Sequence, residues 1–494
     1  MKHKKAKAEC AKNVLTRRHL QHRKGLRLTD FTPTQSVLFT ELEKRPVALS
    51  FDQTHASSDG GAILLSAANQ RYNQRVGLIE KMAACLPDTR QSGKVDHQLA
   101  ELMRQRVYGL ACGYEDANDA ARIGRDPIHK LLAGRDPIKG LDLASQPTLS
   151  RFENSVTPRS LYAMGMTLAE SVIARHGKRR NGHAHLVTID MDPTDAATHG
   201  AQQLSFFNTH YDNHCYLPML GFLSFDDEPD QYLCAAVLRP GNVGAATGAV
   251  GLLRRLITLV RASFPKARVR VRLDGGFASP AVFDLLDAEP KVEYVVAMAS
   301  NAVLDRHASD ALDVARLCAG LTEETEHVYG DTRYAAKSWK RERRVIFKAE
   351  VVRADGKEPR DNPRFVVTNM KQSPKWIYEE VYCKRGEVEN RIKELKALDV
   401  DRTSCTSFWA NQLRVLMAAA AYVLMQEIRL NAELTTLARA QVWTLRERLL
   451  KLGASPGRFR PSHRRASARV VPLAERLPAH RLCYGRNRRI SSSR

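Results

Sequence analysis

The chain has 494 residues, a formal net charge of +23 and 43% hydrophobic residues. That balance excludes a wholly disordered or low-complexity chain and leaves room for about two to four domains. Nine cysteines without a single CxxC pair exclude a disulfide framework or a zinc-finger spacing and fit a reducing compartment.

The charge is uneven. Residues 1–27 hold ten Lys/Arg against Glu9, and residues 455–494 hold eleven Arg against Glu475. Basic tails on a nearly neutral body point to a polyanionic partner, nucleic acid above all. Residues 1–42 therefore read as a basic flexible arm. The N-terminus lacks an apolar stretch, so no secretory leader is expected. Residues 43–180 read as mainly helical. "DHQLAELMRQRVYGLACGYEDANDAARI" (Asp96–Ile123) has apolar residues at helical spacing, broken at Gly113, and Ser145–Asn154 reads as a turn opening a helix. Arg104, Arg106, Arg122 and Arg151 on these helices suit a DNA-binding domain, and a plain helical bundle fits the pattern as well.

From residue 183 the period changes. In "HLVTIDMDPTD", Val187, Ile189 and Met191 alternate with Leu186, Thr188, Asp190 and Asp192, the pattern of a strand. Strands follow at Cys215–Phe225 and Tyr232–Arg239, then a helix at Val243–Phe264, a strand ending in Leu273-Asp274, a helix at Pro280–Leu286 and a strand at Val292–Ala299. The order β-β-β-α-β-α-β is that of a ribonuclease H-like fold, an α/β sheet covered by helices on both faces. This catalytic domain is expected over 181–300 and 364–428. Residues 301–363 are more polar and read as a β-rich insertion, with a strand at Arg343–Val352. The apolar run Leu413–Met425 is too short to span a membrane and reads as a buried helix. A C-terminal helix (Glu433–Leu452) and an Arg-rich tail complete residues 429–494.

Between strand and tail lies "YCKRGEVENRIKELKALDVDRTSC" (Tyr382–Cys405). On an ideal helix, at about 100° per residue, Tyr382, Arg385, Glu389 and Lys396 form one narrow polar stripe. Val381, Val388, Ile392 and Leu395 form the core-facing stripe beside it, while Glu387, Arg391 and Glu394 point toward solvent. Two further carboxylate sites stand at strand ends: "IDMDPTD", where spacing alone cannot separate Asp190, Asp192 and Asp195, and Asp274, followed by two glycines that leave room beside it. Functional groups gather at strand ends in open α/β sheets. Three anions brought together there repel, and divalent Mg²⁺ or Mn²⁺ between them relieves the repulsion.

Other candidates have plainer readings. His183 and His185 read as surface residues, and His210, His214 and Cys215 as loop or core packing, since a fourth ligand at zinc spacing is lacking. "RPGNVGAATG" (Arg239–Gly248) lacks the Lys-Ser/Thr of a phosphate loop and reads as a turn into a helix. Trp339 reads as a packing residue, with stacking on an unpaired base as the alternative.

The spacing Y-(2)-R-(3)-E-(6)-K of Tyr382, Arg385, Glu389 and Lys396 resembles the signature of bacterial insertion-sequence transposases of the DDE class. "GYEDANDAARIGRDP", "QPTLSRFEN", "DMDPTDAATHG", "FFNTHYDNHCYLPM", "LDGGFASP", "ENRIKELK", "DRTSC" and "ANQLR" are similar to the insertion-sequence family thirteen-eighty, over residues 44 to 455. The resemblance implies a ribonuclease H-like catalytic domain with a β insertion before the catalytic glutamate. It implies catalytic, metal-holding carboxylates at Asp192, Asp274 and Glu389, with two Mg²⁺ ions for which Mn²⁺ can substitute. Tyr382, Arg385 and Lys396 take positions that contact DNA phosphates in relatives. The implied activity is cutting and joining of double-stranded DNA at terminal inverted repeats and target sites, by a dimer in the synaptic complex. The implied setting is the bacterial cytoplasm, at the nucleoid, with no membrane. A catalytically inactive DNA-binding derivative and a nuclease without strand transfer are the alternatives. Pro193 after Asp192, and Asp-Gly-Gly-Phe in place of Asp-Ser-Gly-Phe, depart from the pattern.

Overall fold

Leu186–Pro193 (β3) alternates in sequence, yet in the fold its residues from Val187 to Asp192 are all buried, the mark of a strand central in its sheet. The computed structural model describes residues 55–455 apart from 73–75 and 355, together with two short strands. Those two, Val37–Phe39 (β1) and Val47–Leu49 (β2), pair antiparallel within a unit of their own, residues 1–56. Most of the expected basic arm and the Arg-rich tail from 456 lie outside the described residues.

Residues 57–494 form the second compact unit. It begins with helices Ile63–Arg71 (α1), Leu78–Ala83 (α2), Leu99–Ala111 (α3), Pro127–Ala133 (α4), Gln146–Asn154 (α5) and Pro158–Arg179 (α6). After β3 come Ala196–Ala197 (β4), Phe206–Asn208 (β5) and Asn213–Tyr216 (β6), which pair as a small sheet in the order β4-β6-β5. The strand expected at Cys215–Phe225 is thus two: it breaks at Leu217-Pro218, and Met219–Phe225 (β7) joins the main sheet. Next come Tyr232–Val237 (β8), Ala249–Ser263 (α7), Arg268–Leu273 (β9), Pro280–Ala288 (α8) and Val292–Met298 (β10). The element order β3, β7, β8, α7, β9, α8, β10 is the one the alternation predicts.

Residues 301–363 open with a 21-residue helix, Ala302–Thr322 (α9), before Glu326–Tyr334 (β11), Arg343–Val352 (β12) and Arg360–Asp361 (β13). These strands extend the central sheet. With Arg364–Thr368 (β14), its order is β11-β12-β14-β10-β9-β3-β7-β8, and β13 pairs with β12. The protein is a mixed α/β structure around one large mixed sheet: β3, β9 and β10 run parallel, and the flanking pairs are antiparallel.

Glu387–Lys396 (α10) and Phe408–Asn431 (α11) follow. Every residue of α11 from Ala410 to Arg429 is buried, because the helix packs on α3, α1, α6 and the edge strand β8 together. No helix among the described residues is long and apolar enough to cross a membrane. The helix expected at Glu433–Leu452 is shorter, running from Val442 to Leu450.

Two glutamines of α11, fourteen residues apart and so on one face, seal the exposed edge of β8. Gln412 accepts from the Leu238 amide at 2.6 Å and donates to the Ala236 carbonyl at 3.3 Å. Gln426 accepts from the Leu233 amide at 3.0 Å and donates to the Gln231 carbonyl at 2.7 Å. Replacing Gln426 with Leu strands a buried N–H and a buried C=O. The expected loss is about 1–3 kcal/mol in equilibrium urea unfolding; an unchanged midpoint would mean that the edge finds other partners.

Candidate active site

Register builds the site. In the parallel pair β3–β9, Met191 lies opposite Leu273 and Asp190 opposite Arg272. One residue further along each strand, Asp192 and Asp274 emerge from the same end of the sheet. Asp190 is not free for the cleft: it is 1% exposed, and Arg272 grips both its oxygens at 2.7 Å. Asp195 is taken by Lys396 at 2.8 Å. The three aspartates that spacing could not separate thus have three different partners.

Asp274 is held from behind. Its Oδ1 accepts from the Gly276 amide at 2.9 Å. A side chain at Gly276 would meet Ala245 Cβ at 2.7 Å, so this tight turn needs glycine. Its other oxygen lies 3.4 Å from Arg385 Nη2, and the same nitrogen donates to Asp192 Oδ1 at 2.8 Å. Asp192 is 9% exposed. Its carboxyl is pushed up to about 7, first by burial and then by the negative charge of Asp274 and Glu389, with Arg385 opposing.

The segment carrying Arg385 and Glu389 is not the uniform helix that spacing suggests. Ile377–Tyr382 is wound as a π-helix, Cys383–Gly386 as a 3-10 turn, and the α-helix begins only at Glu387 and ends at Lys396. Insertions of π geometry are frequent at functional sites. Arg272 Nη1 donates to the Val381 carbonyl at 3.2 Å and so pins the π segment to the sheet. Glu394, expected toward solvent, is 5% exposed. Tyr422 donates to it at 2.6 Å and Arg429 at 2.8 Å, which fixes α10 to α11.

Asp192, Asp274, Arg385 and Glu389 line one cleft together with Asn208, His210, Tyr211, Arg239 and Gly276. Tyr382 and Lys396 are not among its lining residues. Tyr382 packs its ring 5.5 Å from that of Tyr378, and burial raises its phenol. His183 and His185 lie before the start of β3, at the opposite end of that strand from Asp192. Trp339 packs against Phe283, with ring centroids 5.0 Å apart, beneath Arg343. Four cleft residues escaped sequence reasoning. His210 read as packing and Arg239 as part of a turn, while Asn208 and Tyr211 entered only within a longer stretch of resemblance.

The cleft fits a divalent cation by its donors. Three carboxylates offer hard oxygens, and a guanidinium already stands as a positive charge between two of them. Among the described residues the tighter group is elsewhere: the ligand atoms of Asp59, Cys112 and His129 lie within 4.8 Å of one another, wholly buried. There Asp59 is already satisfied by Tyr114 at 2.7 Å, His129 at 2.9 Å and Lys451 at 2.9 Å, which hold its carboxyl well below the usual range. That cluster ties the first described helices to the last, and its anion has its countercharge.

A family model described as "Transposase DDE domain group 1" matches residues 39–493 of the chain. No curated protein matches it. Among solved structures, the cryo-EM structure of the piggyBac transposase synaptic complex with hairpin DNA is similar with a TM-score of 0.43 and 10% identity. That likeness covers 78% of this chain and 80% of that one.

Proposed function

The chain belongs to the transposase DDE domain group 1 family, and from that premise we propose that it is a DNA transposase that cuts and joins DNA by metal-dependent phosphoryl transfer on a ribonuclease H-like sheet. The reading rests on one arrangement: two aspartates at neighbouring strand ends share one guanidinium in a cleft that Glu389 also lines. Asp192, Asp274 and Glu389 would hold two Mg²⁺ ions, with Mn²⁺ able to substitute. The ions would polarise the attacking and leaving oxygens of a phosphodiester.

The chain's own residues supply the rest. The Gly276 amide holds the carboxylate of Asp274, and the Arg385 guanidinium holds that of Asp192. Arg385 offsets part of the pair's charge in the free protein and, as a planar fork, is suited to turn to a DNA phosphate when the carboxylates are otherwise occupied. Tyr382 and Lys396 flank it on the same segment as further DNA-contacting groups. The spacing Y-(2)-R-(3)-E-(6)-K supports placing the protein among insertion-sequence transposases of family thirteen-eighty. Its substrates are then the terminal inverted repeats and target DNA, and its synaptic form a dimer.

The test uses a labelled duplex from the DNA flanking the gene. Wild type is expected to nick it with Mg²⁺ or Mn²⁺ and to join the freed 3′ end to a second duplex. Glu389→Gln is expected to bind the duplex with wild-type affinity and to leave it intact. Cleavage by Glu389→Gln at the wild-type rate would sink the assignment of Glu389. Nicking without joining would identify a nuclease instead.

A further inference from the structure

Beside the carboxylates, the cleft has a further wall that the proposed chemistry leaves idle. It is made by the loop between β5 and β6 and by residues 239–248, the stretch that sequence alone reads as a turn. Asn208 joins the two. Its side-chain oxygen accepts from the amides of His210 at 3.0 Å and Tyr211 at 3.3 Å, and its Nδ2 donates to the Gly241 carbonyl at 2.8 Å. Gly241 can sit there only as glycine, since a Cβ would fall 2.1 Å from the Cys215 carbonyl oxygen.

Arg239 lies beneath this wall, 5% exposed. Its Nε donates to the Leu217 carbonyl at 2.9 Å. Nη1 donates to those of Gly244, Ala245 and Thr247 at 3.2, 2.7 and 3.2 Å. All these acceptors are neutral. Its Nη2 is buried without any partner. The charged or ionisable groups that act on this guanidinium are Tyr211 and Asp274, both of the cleft. Burial lowers the guanidinium to about 10, so it remains a cation at neutral pH. Tyr211 is pushed up to about 12, first by burial and then by Asp195, Asp192 and Asp274, so its hydroxyl keeps its proton and can donate. An exposed imidazole, His210, stands beside it with ring centroids 4.8 Å apart.

A buried unsatisfied N–H costs about 1–3 kcal/mol, and six other arginines among the described residues also leave one, each of them paired with a carboxylate. Arg239 leaves its donor unspent with neutral carbonyl acceptors alone, in the lining of an acidic cleft. We propose that Arg239, with the hydroxyl of Tyr211 and the ring of His210, forms a phosphate-binding wall that grips a backbone phosphodiester of the DNA strand lying in the carboxylate cleft. The wall sets the strand's depth in the cleft, and Nη2 becomes accessible as the wall rearranges around the phosphate. The inference rests on the transposase reading and adds residues to it that belong to no part of the carboxylate constellation.

The experiment measures binding of the fluorescent flanking duplex by anisotropy across a salt series, in a Glu389→Gln background so that nothing is cut. Each phosphate contact contributes about 0.9 to the slope of log K against log salt. Arg239→Gln is expected to weaken binding and flatten the slope by about that amount. Tyr211→Phe removes one hydroxyl from a half-buried ring and is expected to weaken binding several-fold with little change in melting temperature. Wild-type affinity and slope in both variants would overturn the inference. If Arg239→Gln proves unfolded by melting, Tyr211→Phe decides alone. Failure here leaves metal-dependent cutting by the wild type intact. Failure of the transposase reading shows instead as wild-type protein that never cuts.

Discussion

Asp192→Asn is expected to abolish metal-dependent cleavage and, in the absence of metal, to make the protein more stable at about pH 8. The loss of activity follows from removing one of three oxygen donors at a centre whose cations contribute several kcal/mol, on the order of a thousandfold in rate or more. The gain in stability follows from linkage. The Asp192 carboxyl is raised to about 7 in the folded chain by burial and by its anionic neighbours. Between about 4, the ordinary carboxylate value, and about 7, the folded state binds more protons than the unfolded state. Stability therefore falls as pH rises through that window and stays low above it. Asparagine has no proton to lose, so the variant escapes the decline, by about 2–4 kcal/mol at most. Thermal melts of both proteins across this range check the sign, and they should converge below about pH 4. Added Mg²⁺ is expected to stabilise the wild type at high pH and to leave the variant nearly unchanged. A variant less stable than wild type at about pH 8 without metal would show that Asp192 is well paired by Arg385 and carries no such penalty.

Arg272→Met carries the largest expected loss of stability. Asp190 is 1% exposed, and Arg272 supplies the ion pair to both its oxygens. Without it a carboxylate is left in the sheet's interior beside Asp192. Breaking a buried pair from one side costs about 3–5 kcal/mol, whereas replacing both partners by apolar groups is often close to neutral. The double variant Asp190→Leu/Arg272→Met is therefore expected to recover most of the lost stability in urea unfolding. Its activity is expected to stay low even when folded, because the Val381 carbonyl has lost the donor that pins the π segment below Arg385. Full activity in a stable double variant would sever the link between this ion pair and the geometry of the site.

Local pattern carried a good deal of this. Alternation at Val187, Ile189 and Met191 marks β3, and a strand that stops at Asp274 before two glycines marks the second carboxylate. Both signals are short-range. The parts that were not legible depend on partners far along the chain. Glu394 looks solvent-facing on a helical wheel because nothing near it in sequence announces Tyr422 and Arg429. The winding of 377–386 is invisible to a count that assumes one helical period. Arg239 and Tyr211 come to line the same cleft as Asp274 through chain packed closely at Gly241 and Gly276. The helix α9 sits in a polar stretch, where composition alone suggests strands and loops.

The amides of Gln412 and Gln426 give the sheet a direction. One margin is closed by the chain's own side chains. Among the described residues, its remaining open margin is the outer side of β11, at the far end of the strand order from β8. At β8 the backbone of the sheet is thus satisfied by side-chain amides of the buried helix, whereas at β11 the strand order ends without a further strand.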